Sequence, residues 1–139
     1  MIVLGTNVVS EPLKPTPDAA LLRWLARQAP ETLFITAITK AELLTGFEKM
    51  PLGNRRDAIG TALNSQVLPL FEGRILAFGS DCAKPFSRLV ASAKRAGNSI
   101  SFADAVIAAI ALANGYAVAT RNVDDFVATG VEIVNPWLD

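Results

Sequence analysis

The chain has 139 residues, 51% of them hydrophobic, and thirteen basic residues balance thirteen acidic ones. That size and composition predict one folded domain with a substantial core and exclude intrinsic disorder, while zero net charge gives no global attraction to nucleic acid and leaves only a local patch open. There is no histidine and one cysteine, Cys82, which excludes a Ser-His-Asp triad, His-ligated zinc and an internal disulfide.

No charged segment precedes the first apolar run, so no signal peptide is expected. The longest apolar run, 105–113, is too short for a bilayer. A cytoplasmic protein without a membrane span is the expectation. Hydrolytic chemistry here must rest on carboxylates, hydroxyls and amides, with or without a hard metal ion.

In chain order, Ile2, Val3 and Leu4 form an apolar run with no polar partner. This pattern predicts a strand buried on both faces of a parallel sheet. Gly5-Thr6-Asn7 predicts a tight turn after it. Open α/β sheets place their active sites at such strand ends. No GxGxxG or GxxxxGK[ST] pattern follows, so nothing points to a phosphate-cradling loop. Pro17-Asp18 opens a helix to about residue 29, with Ala20, Leu21, Trp24, Leu25 and Ala29 on one face and Pro30 as its stop. Residues 32–36 predict a second strand and 38–49 a helix, broken at 50–54. A helix over 55–70 should bury Ala58, Ala62, Leu63, Val67 and Leu70, with Pro69 disturbing its end. Gly73 and residues 74–78 predict a turn and a third strand. Ser80 is placed to cap a helix running to Arg95 and stopping at Gly97. Ser101 caps another, with Gly115 as its stop. Residues 116–120 predict a fourth strand, 124–128 a short helix and 131–134 a fifth strand. Short apolar strands separated mostly by helices predict an α/β fold: a five-stranded parallel sheet with helices on both faces and right-handed crossovers.

Five positions are candidates for chemistry. Asp104 lies three residues after the Ser101 cap, in a helix apolar nearly all round. It reads either as a capping-box acid or as a buried carboxylate whose ionised form the helix dipole favours, as a hard cation requires. Glu42, amid Ala41, Leu43 and Leu44, is either a partnered or metal-binding acid or an exposed one with its stem packed. Asn122, in Thr120-Arg121-Asn122, can ligate through its carbonyl, bond a metal-held water or make an Asx turn. Asp124 and Asp125 suit the start of a helix.

In combination these parts are specific. Through TNVVSEP, ITKAELLTGF, VLPLFEGRILAF, SFADAVIAAIA, AVATRNVDDF and the terminal NPWLD, the chain resembles the PIN-domain ribonucleases along essentially its whole length. Within them it is similar to the VapC toxins, and most of all to the FitB-like subfamily. The resemblance implies a PIN-like three-layer α/β/α sandwich with strand order 3-2-1-4-5. It also implies Mg²⁺- or Mn²⁺-dependent cleavage of RNA by water activated at the ion. Asp104 would be a direct ligand, Glu42 a direct or water-bridged one, and Asn122 a further catalytic position, with Thr6, Asn7 and Thr120 supporting them. The implied partners are a cognate small DNA-binding antitoxin and a second copy of the chain, with higher oligomers when the antitoxin joins.

The chain departs from this pattern at one position. The family carries Asp directly after the first strand, as DTN or DSN, and here Gly5 makes it GTN. Asn122 also stands where many relatives have Asp. The resemblance therefore implies a nuclease that has lost one metal ligand and is inactive or weakened. A non-catalytic PIN-like binding module and a metal-dependent nuclease acting on DNA are the other expectations.

Overall fold

In the computed structural model, which describes residues 1–138, five short strands make one all-parallel sheet. They are β1 (Ile2–Leu4), β2 (Leu33–Thr36), β3 (Ile75–Leu76), β4 (Ala117–Ala119) and β5 (Ile133–Val134), in the order β3-β2-β1-β4-β5. Val3 sits opposite Phe34 on one side and Val118 on the other. The first strand is thus central and has no free edge, which is why Ile2, Val3 and Leu4 carry no polar side chain. The helices between are α1 (Thr6–Ser10), α2 (Ala19–Ala26), α3 (Ala37–Glu48), α4 (Asn54–Ala62), α5 (Leu68–Leu70), α6 (Ala83–Arg95), α7 (Phe102–Asn114) and α8 (Val123–Phe126).

The helices cover both faces of the sheet, giving the three-layer sandwich. On one face α7 is the main packing element. Its residues from Ala105 to Ala111 are all buried, packed with Val3, Val118, Leu89 and Phe126. A helix enclosed by the sheet and α6 must be apolar all round, and its small alanines permit close approach. On the other face Val8, Leu21, Trp24 and Leu63 cover Leu4 and Ile35. Full burial of one such aliphatic side chain stabilises by roughly 1.5–3 kcal/mol. Gly115 ends α7 at φ 70°, and the Tyr116 N–H returns to the Ala111 carbonyl at 2.9 Å. That left-handed stop turns the chain directly into β4.

Several sequence expectations change in detail. Gly5-Thr6-Asn7 is not a tight turn: β1 passes straight into α1, with Gly5 extended at φ −68°, ψ 161°. Helix α2 stops at Ala26, short of residue 29, because Ala29 precedes Pro30 and is driven to an extended conformation. Ala29 is accordingly exposed. The helix expected over 55–70 contains a wide π-turn at Leu63–Val67, where the Leu68 N–H reaches back to the Leu63 carbonyl. Pro69 accounts for it, since in a regular helix its ring would collide with the carbonyl of Ser65. The inserted residue shifts the helical phase. Leu63 is buried and Val67 half-buried, while Ala58 and Leu70 face solvent. Ser80 does not cap α6. It opens a single 3₁₀ turn to Cys82, and α6 begins at Ala83 with no side-chain cap. Strand β3 keeps only two of the five residues predicted for it.

One acidic corner follows α1 directly. Glu11 is buried, holds Lys14 Nζ at 2.8 Å and accepts the Asp18 N–H at 3.1 Å. The bond to Lys14 pulls its carboxyl below the ordinary glutamate range, burial opposes this, and the Asp18 amide assists it. Asp18 in turn caps α2 by accepting from the Ala20 and Leu21 amides. The loop from α1 to α2 is thereby closed by satisfied carboxylates.

Candidate functional site

At the carboxyl ends of β1 and β4, the two neighbouring central strands, lies a cavity of about 110 Å³. Its lining is Gly5, Thr6, Asn7, Glu42, Asp104, Ile107, Thr120, Asn122 and Phe126. The seven residues that the resemblance marks for chemistry or support, Gly5, Thr6, Asn7, Glu42, Asp104, Thr120 and Asn122, all line this one space. Asp124 and Asp125 do not line it.

Each wall has a local cause. The amide of Gly5 donates to the Ala119 carbonyl at 2.8 Å, continuing the β1–β4 pairing by one residue and bringing Thr120 beside it. Thr120 is buried, and its hydroxyl oxygen accepts the Asn122 N–H at 3.0 Å, which fixes the bend that carries Asn122 to the rim. Thr36 at the end of β2 caps α3, its Oγ1 accepting from the Thr39 N–H at 3.1 Å. That start sets the rotation of α3 that brings Glu42 to the cavity. The Thr6 hydroxyl then donates to Glu42 Oε1 at 2.6 Å, across 36 residues of sequence. One carboxylate oxygen is thus pinned.

Asp104 satisfies both of its sequence readings at once. The Ser101 hydroxyl oxygen accepts the Asp104 N–H at 3.1 Å, so the cap is real, and the side chain still reaches the cavity. It is half-buried rather than fully buried. Burial pushes its carboxyl above the ordinary aspartate range. The Ser101 hydrogen bond works against that rise, while the charges of Asp125 and Glu42 add to it. Glu42 is exposed, as its blander reading had it, but it is partnered.

Ile107 and Phe126 escaped the sequence reading. Ile107 lies one turn after Asp104 on the same helix face, a signal that was available. Phe126 is the buried anchor of α8 and carried no signal beyond its hydrophobicity. Together they make an apolar wall behind polar groups.

The donor chemistry fits a hard divalent cation. All the polar groups are oxygens or amides, and two carboxylates with retained waters are a normal Mg²⁺ complement. Among the described residues, however, no group of three His, Cys, Asp or Glu side chains converges. Position 5, where the resemblance leads one to expect a third carboxylate, is Gly5. Its backbone angles are open to any L-residue, and an added Cβ would sit 3.1 Å from the Ala119 carbonyl oxygen and 3.8 Å from Thr120.

Comparison with known proteins gives a consistent picture. The sequence matches the PIN domain family over residues 2–131. It is 47% identical over 137 residues to the VapC ribonuclease Y4jK of Sinorhizobium fredii, covering 99% of this chain and 98% of that protein. It is 40% identical over 139 residues to the toxin FitB of Neisseria gonorrhoeae, with both chains covered completely. Among solved structures, FitAB bound to an IR36 DNA fragment superposes with a TM-score of 0.95 at 38% identity, covering 99% of this chain and 96% of that one.

Proposed function

The chain belongs to the PIN-domain family, in the group of the VapC and FitB toxins, and from that premise we propose that it is the toxin of a two-component toxin–antitoxin system. Its chemistry is metal-dependent cleavage of RNA, reduced in this chain by Gly5. The observation that carries this reading is the meeting of Glu42, Asp104 and Asn122 around one small cavity beside Gly5.

In this reading Asp104 and Glu42 hold a Mg²⁺ or Mn²⁺ ion. When bound, that ion supplies Lewis acidity at phosphate oxygens and a more acidic water. The chain's own residues do the rest. Thr6 fixes one oxygen of Glu42 and leaves the other free. The N-terminus of α7 favours the ionised form of Asp104, while burial and the neighbouring acids oppose it. Cation binding reverses that balance, so the site is poised for positive charge. Asn7 and Asn122 offer exposed amides to an RNA backbone at the rim. Ile107 and Phe126 limit water behind the acids.

The same carboxylates are suited to an antitoxin's Arg or Lys through charge-assisted hydrogen bonds. A small DNA-binding antitoxin is the proposed partner, supported by the DNA-bound FitAB relative. A homodimer is proposed as well. Phe102 is 72% exposed and Phe78 43% exposed, and both rings stand edge-on to Phe86 at 5.8 Å. An exposed aromatic row of this kind marks a contact surface. Light scattering at micromolar concentration should show a dimer, and a monomer would overturn that part. Action on RNA beside its antitoxin places the work in the cytoplasm.

The test is cleavage of single-stranded RNA with Mg²⁺ or Mn²⁺, with Glu42→Gln and Asp104→Asn as controls and DNA as a parallel substrate. Slow cleavage of RNA, abolished in both variants, is the expected result. Cleavage unchanged in Asp104→Asn would place the chemistry elsewhere. Preference for DNA would identify a different nuclease. One observation favours a second reading, a non-catalytic binding module: the two-carboxylate site lacks a third acid. RNA binding without any cleavage would select it.

A further inference from the structure

Gly5 removes a side chain but not the space for its carboxylate. The strand end is intact, the cavity beside Asp104 and Thr120 persists at about 110 Å³, and Gly5 itself is buried. Its wall includes one buried polar group with capacity to spare. Thr120 is 4% exposed, and its oxygen accepts the Asn122 amide while its hydroxyl proton has no acceptor among the described hydrogen bonds. An extra carboxylate beside that hydroxyl has a donor waiting for it. It also has two like charges, Glu42 and Asp104, that reject it unless a cation is present.

We propose that this gap is a subsite for a small free monocarboxylate, which enters together with a divalent cation and supplies the ligand that position 5 lacks. The inference rests on the metal reading of the site given above. It makes tight metal binding in this chain conditional on an outside molecule. Size selects the ligand. A tethered Cβ would press on the Ala119 carbonyl oxygen at 3.1 Å. Formate has no carbon beyond its carboxylate and avoids that contact. Acetate brings a methyl to the crowded place and should bind less well, and a branched acid such as pivalate should not fit. The same cavity explains the required order of charge. Without a cation the subsite repels anions, so formate alone should leave the protein unchanged.

The experiment follows Mn²⁺ binding by loss of the free-ion electron paramagnetic resonance signal, and in parallel by melting temperature. The native chain, Gly5→Ala and Gly5→Asp are each titrated with and without sodium formate, with sodium chloride and pivalate at matched ionic strength. Formate should tighten Mn²⁺ binding to the native chain roughly tenfold, the equivalent of about 1.4 kcal/mol. The effect should shrink in Gly5→Ala, whose methyl occupies the approach, and vanish in Gly5→Asp. If Gly5→Asp binds Mn²⁺ more tightly than the native chain but formate does nothing, the subsite is refuted while the metal site stands. If no form binds Mn²⁺, the metal reading fails and the subsite with it. An equal formate effect on the native chain and Gly5→Asp is a general anion effect and also overturns the proposal.

Discussion

The molecule has two acidic corners at opposite ends of one short segment, and they are built on opposite principles. At the far end, Glu11 is buried against Lys14 and the Asp18 amide, and Asp18 is spent on capping α2. At the near end, Glu42 has one hydroxyl partner, Asp104 has a serine, and no basic side chain answers either of them in an ion pair among the described residues. The pKa directions register this contrast: Glu11 is lowered by its lysine and Asp104 is raised by burial and by other acids. Carboxylates that the fold satisfies serve the fold. Carboxylates that it leaves short of positive charge cost stability and are explained by something that arrives later.

The largest expected effect comes from deepening the contrast. Gly5→Asp places a third acid at the near corner. With Mg²⁺ or Mn²⁺ it should bind metal about a hundredfold more tightly, or about 3 kcal/mol, and RNA cleavage and toxicity without antitoxin should rise accordingly. Without metal the variant should melt lower at neutral pH, because three acids repel and its Cβ crowds the Ala119 carbonyl. The measurement is a melting series over metal concentration with RNA cleavage alongside. Identical behaviour of both forms would mean that position 5 is only a strand end.

Next is erasure of the near corner. Asp104→Asn should abolish the metal-induced rise in melting temperature and, in the metal-free protein, raise the melting temperature at pH 7. The Ser101 cap is retained, because it uses the backbone amide of residue 104. A lower melting temperature in metal-free Asp104→Asn would show that the carboxylate is structural after all.

A smaller effect is the pH response of the metal-free chain. The folded pKa of Asp104 lies above its unfolded value near 3.8. Folding then favours the protonated form, so its stabilising contribution is full below the unfolded pKa and is lost as pH rises through the folded one. Glu11 has the reverse sign. Its folded pKa lies below 4.5, so its contribution is present above that value and is lost as acid carries the pH down through the folded pKa. Melting curves from pH 7 downward should therefore first gain from Asp104 and then lose from Glu11. Asp104→Asn should delete the gain alone.

The smallest change is Glu11→Gln, which keeps the shape but gives up the ion pair with Lys14. It should weaken the acid-side loss and lower stability at neutral pH modestly, with metal binding and cleavage untouched. A change in metal affinity would show that the two corners are coupled through α1.

Much of this was legible in the residues, for physical reasons. A strand with no polar position must be central, and Ile2-Val3-Leu4 sits in the middle of the sheet. Ser101, Gly115 and Asp18 announce helix ends because capping is local chemistry. The seven residues around the cavity were named from the family resemblance, and the fold brings them together because strand ends at a topological switch point converge. What stayed hidden was non-local or depended on a small shift of phase. The π-turn moved Leu70 from the core to solvent although the hydrophobic spacing was regular. The Thr6–Glu42 bond joins elements that only the β1–β2 pairing brings together. Gly5 read as a turn because glycine usually marks one, whereas its backbone here is extended and its significance lies in what it omits.

The strand order also sets a timetable. The strand β1, first of the five in chain order, is the central one, and its second neighbour, β4, lies more than a hundred residues later in the chain. The pocket needs residues 5–7, 42, 104 and 120–122 in one place, so it cannot close until residue 122 has been synthesised. Such distant pairing is slow to form. In a fold of this design the cleft is a late product, and a molecule that recognises it has nothing to bind until β4 has paired with β1.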